Sequence, residues 1–191
     1  MSRPRKPVSE PIETEAKIRV ASLTPIRRRL AASGARRVSP RTAEINTLYD
    51  APDGTLRAQG KSFRLRRYGR QGVLTLKGAA TVARGLKSRV ELETEVESPE
   101  TLASILISLG FVAMFRYEKF RETWSLGRVA ICLDDTPLGA FVEIEGTGTS
   151  IHRVARKLSL GRHLFLGDSY PALWVAAGKT GDMVFKPGKR A

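Results

Sequence analysis

The sequence predicts an α+β fold in which one antiparallel sheet of about eight strands is covered by a few amphipathic helices. Three observations predict it: period-2 alternation in eight segments, four helices marked by their caps and stops, and connections too short for parallel crossovers. The 191 residues, 41% of them hydrophobic, suffice for one substantial core. A single body is expected over residues 10–178. The flanking stretches 1–9 and 179–191 are rich in Pro, Gly and basic residues and read as mobile tails.

The alternating segments lie near 12–20, 45–50, 62–68, 73–78, 88–97, 118–125, 128–134 and 140–146, with glycine turns such as Gly69 to Gly72 between them. A sheet of that many strands commonly closes on itself or splits into a sandwich. Thr24 followed by Pro25 starts a first helix that Gly34 stops, and Ser98-Pro99 starts a second that ends at Gly110. Ser150 begins a third, running toward Gly161 with Val154, Ala155 and Leu158 on one face, and Ser169 a fourth, stopped by Gly178.

The charges narrow the function. Lys and Arg outnumber Asp and Glu 33 to 19, a formal +14, so an anionic partner is expected. The two tails carry three net positive charges each, which leaves about +8 on the body. One cysteine, Cys132, excludes an intrachain disulfide, and neither His152 nor His163 belongs to a His/Cys metal motif. With no apolar leader and no long apolar run, the expectation is a cytoplasmic protein with no membrane contact. There is no G-x-x-x-x-G-K-[ST] loop, no dinucleotide fingerprint, and no nucleophile–base constellation.

Along the strands the polarity splits cleanly. Glu13, Glu15, Lys17 and Arg19 share one face and Ile12, Ala16, Ile18 and Val20 the other. Arg64 and Arg66 alternate with Phe63 and Leu65; Arg89, Glu91, Glu93, Glu95 and Glu97 with Val90, Leu92 and Val96; Glu143 and Glu145 with Val142 and Ile144. An ordinary solvated face does not need acidic pairs on some strands and basic pairs on others, whereas a polyphosphate with its metal ions needs both. If helices cover the apolar side, the charged side lies inward, an inversion that a wide closed barrel permits.

Mg²⁺ or Mn²⁺ prefers oxygen ligands and keeps some of its waters, which suits Glu13, Glu15, Glu143 and Glu145. The cations available to phosphate oxygens are Lys17, Arg64, Arg66, Lys77, Arg89, Lys119 and Arg121. Glu91 and Glu93 form a further acidic pair that could orient basic groups or a water. Asp134 could complete a metal site or a basic network, or simply end a strand.

These motifs resemble the CYTH or triphosphate tunnel metalloenzyme family. Glu13-Thr-Glu15-Ala-Lys17 matches its ExExK signature, FRLRR its paired arginines, LTLKG its lysine strand, RVELETEVES its central acidic strand and FVEIEG its late E-x-E; RYEKFRE, CLDD and SYPALW also correspond. The resemblance spans roughly 12–175. It implies a closed eight-stranded antiparallel barrel with helices outside, a Mg²⁺ or Mn²⁺ requirement, and a triphosphate substrate such as tripolyphosphate, ATP or thiamine triphosphate. By position it implies metal sites at Glu13, Glu15, Glu143 and Glu145, with Asp134 added, phosphate contacts at Lys17, Arg64, Arg66, Lys77, Arg89, Lys119 and Arg121, and catalytic roles for Glu13, Glu15, Lys17, Lys77, Glu91 and Glu93. The expected activity is triphosphate hydrolysis, with class IV adenylyl cyclase as the alternative. A non-catalytic polyphosphate or RNA module leaves the acidic pairs without a purpose, so nucleic acid is disfavoured. A homodimer stays open.

Overall fold

The computed structural model describes residues 11–186. Residues 1–9, expected to form a basic tail, lie outside that range. Ten strands form one antiparallel sheet: β1 (Ile12–Val20), β2 (Arg36–Asp50), β3 (Ser62–Tyr68), β4 (Gln71–Lys77), β5 (Thr81–Ala83), β6 (Leu86–Val96), β7 (Val112–Leu126), β8 (Val129–Thr136), β9 (Gly139–Glu145) and β10 (Phe165–Leu166). Their order is β10-β1-β9-β8-β7-β2-β3-β4-β6-β5, and a further pairing of β1 with β6 closes the sheet into an eight-stranded barrel. Closure follows from register: Glu15 lies opposite Glu145 on β9 and opposite Lys87 on β6, so one strand serves both edges. Of the two outcomes left open for so large a sheet, the barrel is the one formed.

Five helices pack outside: α1 (Thr24–Ala32), α2 (Thr55–Ala58), α3 (Pro99–Ser108), α4 (Gly148–Lys157) and α5 (Tyr170–Ala176). Ile26 and Leu30 of α1 and Ile151, Val154 and Ala155 of α4 bury against the outward residues Ile18, Ile131, Leu133 and Ile144 of the wall. The principal core therefore lies between helices and barrel, not inside the barrel. On the opposite side α3 packs at Gly72, where an added Cβ would meet Pro99 Cγ at 2.9 Å, so only glycine allows that approach.

Differences from the sequence expectations are local. The third helix starts at Gly148, because the Thr147 hydroxyl accepts from the Ser150 N–H and so takes the capping place expected of Ser150. The first helix begins at Thr24 after Leu23, with no side-chain cap. Residues 179–186 are not a tail separate from the body. Met183 is fully buried, exchanges backbone hydrogen bonds with Arg116 and Glu118 of β7, and Phe185 packs on Phe120 at 5.3 Å. No described helix is long and apolar enough to cross a membrane.

Candidate functional site

Strand alternation sends the charged residues inward, where they line a cavity of about 1400 Å³ running through the barrel. Glu13, Glu15, Arg64, Arg66, Lys77, Arg89, Glu91, Glu93, Lys119, Arg121, Glu143 and Glu145 all face it. Lys17 and Asp134 sit just behind this lining and hold it in place.

The basic half is built on Asp134, which is fully buried. Arg121 grips its carboxylate bidentately at 2.6 and 2.7 Å, Lys119 Nζ donates at 3.0 Å, and the Tyr170 hydroxyl donates at 2.7 Å. Burial opposes ionisation here, but Arg121 and Lys119 outweigh it and hold Asp134 below its ordinary value. Oδ2 takes three of these donors and Oδ1 the fourth, so its partners are cations and a hydroxyl rather than a ligand site, and it does not line the cavity. Asp134 thus belongs to the basic network, and the expectation of a metal ligand does not fit its surroundings. Glu44, in the second half of β2, is held low in the same way by Lys119, Arg121 and Arg66 against its burial.

The acidic half lies on β1, β9 and β6. Lys77 is clamped between Glu13 at 2.6 Å and Glu91 at 2.7 Å, and Glu93 takes Arg66 at 3.0 Å. Lys17 spans Glu143 at 3.3 Å and the Asp168 carbonyl at 3.1 Å, and Arg121 also donates to Glu143. Glu145 makes no ion pair among the described residues. Its carboxyl is pushed up to about 7 by burial, then by Glu13, Glu91 and Glu15. Burial and the hydrogen bond to Glu91 also raise Glu13, with Lys77 pulling the other way.

Such mutual repulsion of hard oxygen donors is the chemistry that a divalent cation relieves, so Glu13, Glu15 and Glu145 fit Mg²⁺ or Mn²⁺. No three described acidic side chains converge as a ready-made coordination sphere. That suits an ion completing its shell from water and ligand oxygens more than one caged by protein.

On the cationic side, Arg64 Nε, Arg66 Nε and Arg89 Nε are buried without a hydrogen-bond partner. Buried guanidinium donors left unpaired are costly, and on a cavity wall they mark where ligand oxygens belong.

Besides Glu44, sequence reasoning missed three wall residues. Lys87 is 8% exposed, lines the cavity and makes no ion pair among the described residues. Burial, then Arg89, lowers it to about 8. It lies one position before the expected strand, on the face of Arg89, so extending the alternation would have found it. Tyr117, which accepts from Arg64 Nη1 at 3.3 Å, and Tyr170, under Lys17 at 4.3 Å, carry no period-2 charge signal. Cys132 faces the cavity, but burial pushes its thiol up to about 11, which removes it as a nucleophile. Toward α5 the lining turns apolar, with Leu48, Met114, Phe115, Pro171 and Val175.

The CYTH domain model matches residues 11–166, from the first strand of the sheet to the last. The chain belongs to the CYTH domain family. Among solved structures this CYTH chain is similar to a candidate adenylate cyclase from Vibrio parahaemolyticus, with TM-score 0.75 and 22% identity over 86% of this chain and 98% of that one. A protein from Pyrococcus horikoshii gives TM-score 0.70 and 25% identity over 83% and 96%. A Hippeastrum candidate adenylyl cyclase with a dominant triphosphatase activity gives 0.64 and 16% over 88% and 97%. No curated protein sequence matches the chain.

Proposed function

We propose that the protein is a divalent-metal-dependent hydrolase of inorganic or organic triphosphates, bound inside the barrel. The observation that carries this reading is one cavity that holds buried guanidinium donors without hydrogen-bond partners on Arg64 and Arg66, Arg89 at 3.8–3.9 Å from Glu15 and Glu13, and a self-repelling carboxylate cluster. A triphosphate supplies oxygens for the guanidinium groups and, with its cation, charge for the carboxylates. Membership of the CYTH family and likeness to a protein with triphosphatase activity point the same way.

Arg64, Arg66, Arg89, Lys119 and Arg121 bind and straighten the phosphate chain, and Asp134 and Glu44 hold the last two in position. Glu13, Glu15 and Glu145 would hold Mg²⁺ or Mn²⁺, which when bound would neutralise phosphate charge and lower the pKa of a coordinated water, while Glu143, expected as a ligand, is engaged by Lys17 and Arg121. Water attacks the terminal phosphorus, the bond to the bridging oxygen breaks, and the basic residues stabilise the charge that develops on the leaving phosphate chain. Glu91 and Glu93 act through Lys77 and Arg66, whose positions they fix.

One observation favours a second reading. The apolar stretch near α5 offers a seat to an organic group carried by the phosphates, so ATP could be cyclised: the ribose 3′-oxygen attacks the α-phosphorus and pyrophosphate leaves. The test is a product-resolved assay with tripolyphosphate, ATP and thiamine triphosphate, each with Mg²⁺ and with Mn²⁺. Phosphate release abolished by a Glu13→Ala and Glu15→Ala double variant supports the hydrolase. Cyclic AMP with pyrophosphate replaces it by the cyclase, and no turnover with any substrate overturns both.

A further inference from the structure

The outside of the barrel carries a second charged feature, independent of the tunnel. Helix α4 buries Ile151, Val154 and Ala155, which turns Arg153, Arg156 and Lys157 together onto its exposed face. Neither α4 nor the neighbouring α1 contains an acidic residue, and Arg29 joins them by donating to the Leu158 carbonyl at 2.8 Å. Arg162, on the turn just after α4, and Arg84, at the tip of the β5–β6 hairpin, close on the same place from two other elements. Their meeting point is His152, which stacks on Phe165 with ring centroids 5.5 Å apart and planes 4° from parallel. Burial lowers the His152 pKa, followed by Arg162, Arg156 and Arg84, and no carboxylate offsets them.

The composition of this face selects its partner. Five of its six exposed cations, Arg29, Arg84, Arg153, Arg156 and Arg162 beside Lys157, are arginines, the side chain that grips phosphate bidentately. It exposes no Phe, Tyr or Trp on which a splayed base could stack, Phe165 being buried beneath His152; the only rings there among the described residues are the imidazoles of His152 and His163. It lacks the broad apolar surface of an interfacial membrane helix, since the apolar side of α4 is spent on the barrel. A regular array of backbone phosphates meets these conditions.

We infer that the face formed by α4, the Arg162 turn and the Arg84 hairpin tip docks the phosphate backbone of double-stranded nucleic acid without reading its sequence. The tunnel takes no part, so the inference stands or falls separately from the triphosphatase reading.

The experiment is fluorescence anisotropy of the full chain with a short labelled DNA duplex of arbitrary sequence over a range of salt concentrations. It is run beside an Arg153→Ala, Arg156→Ala and Arg162→Ala triple variant whose folding is checked by its melting curve. Binding should weaken steeply with salt, and the triple variant should lose on the order of tenfold in affinity and flatten the log–log salt slope by about 3, roughly one per phosphate contact removed. Unchanged binding by the folded variant would assign the affinity to other basic segments and overturn the inference. So would tighter binding to the single strand, or binding to phosphatidylserine vesicles with none to the duplex. A variant that does not fold is replaced by Arg153→Gln with Arg156→Gln, for which a slope change of about 2 is expected.

Discussion

At the residue scale, the wall of the tunnel is a set of charges whose partners decide their roles. Asp134 is the clearest case, because every donor it accepts from is itself a wall residue. Asp134→Asn keeps the shape but removes the charge that Lys119 and Arg121 face, leaving buried cations underpaired at a cost of about 3–5 kcal/mol. Tyr170→Phe removes only one hydrogen bond to that carboxylate and should cost about 1.5–3 kcal/mol. Urea denaturation of the two variants checks the ranking, and a larger loss for Tyr170→Phe would mean that the ring position, not the ion network, is what matters. Lys87 is the opposite case, a wall cation with no ion-pair partner among the described residues. In the triphosphate reading, Lys87→Ala should raise KM about tenfold, the equivalent of about 1.4 kcal/mol of lost binding, with little change in kcat. Lys87→Arg should restore most of it. Equal loss in kcat and kcat/KM would place Lys87 at the reacting phosphorus instead.

At the scale of elements, legibility in the sequence followed the regularity of the alternation. β1 and β3 have the predicted bounds, because charged and apolar residues alternate through most of both, Thr14 and Arg67 being exceptions. β2 shows its period in the sequence only from residue 45, while it begins at Arg36; register shifts at Arg37/Ser39 and Ser39/Thr42 and the proline at position 40 break the period, which also hides Glu44. The single turn of α2 has too few residues to show a helical period, and its N-terminal N–H groups are satisfied from a distance in sequence, by Asp50 accepting from Leu56 and Arg57. The acidic and basic wall residues were readable one strand at a time, but the division of labour among them was not: it depends on cross-strand register, which alternation does not specify. The segment after α5 misled because Pro, Gly and Lys suggested a tail, while one apolar residue, Met183, anchors it. Met183→Ala should therefore cost about 2–5 kcal/mol, as for a buried core methionine, and a loss below 1 kcal/mol in denaturant titration would return this strap to the status of a tail.

On the scale of the whole molecule, the barrel is inverted: apolar residues face outward to the helices and charge faces inward, so its stability depends on pH through the tunnel. Three inward groups are held against their preferred state. Glu13 and Glu145 sit above the ordinary 4.5, Glu145 at about 7, and Lys87 sits at about 8, below its ordinary 10.5. Between pH 4.5 and about 7 the folded protein binds more protons than the unfolded chain through the two glutamates, so their contribution declines as pH rises across that window. From about 8 to 10.5 the unfolded chain binds more protons through Lys87, so stability recovers as pH rises. Below 4.5 the held-down carboxylates Glu44, Asp134 and Glu143 protonate and stability falls again. Unfolding free energy measured in chelator should show a shallow minimum near pH 7–8. Glu145→Gln should fill its acidic side, removing a charge that the glutamates around it oppose. Adding Mg²⁺ with tripolyphosphate to the Glu13→Gln variant, if turnover is slow enough to permit it, should raise the melting temperature more at pH 7.5 than at pH 5.5, since the ligands bind best when the acids are ionised. A profile flat from pH 5 to 9 would mean that solvent screens the wall charges, and the inward electrostatics would then have no hold on the fold.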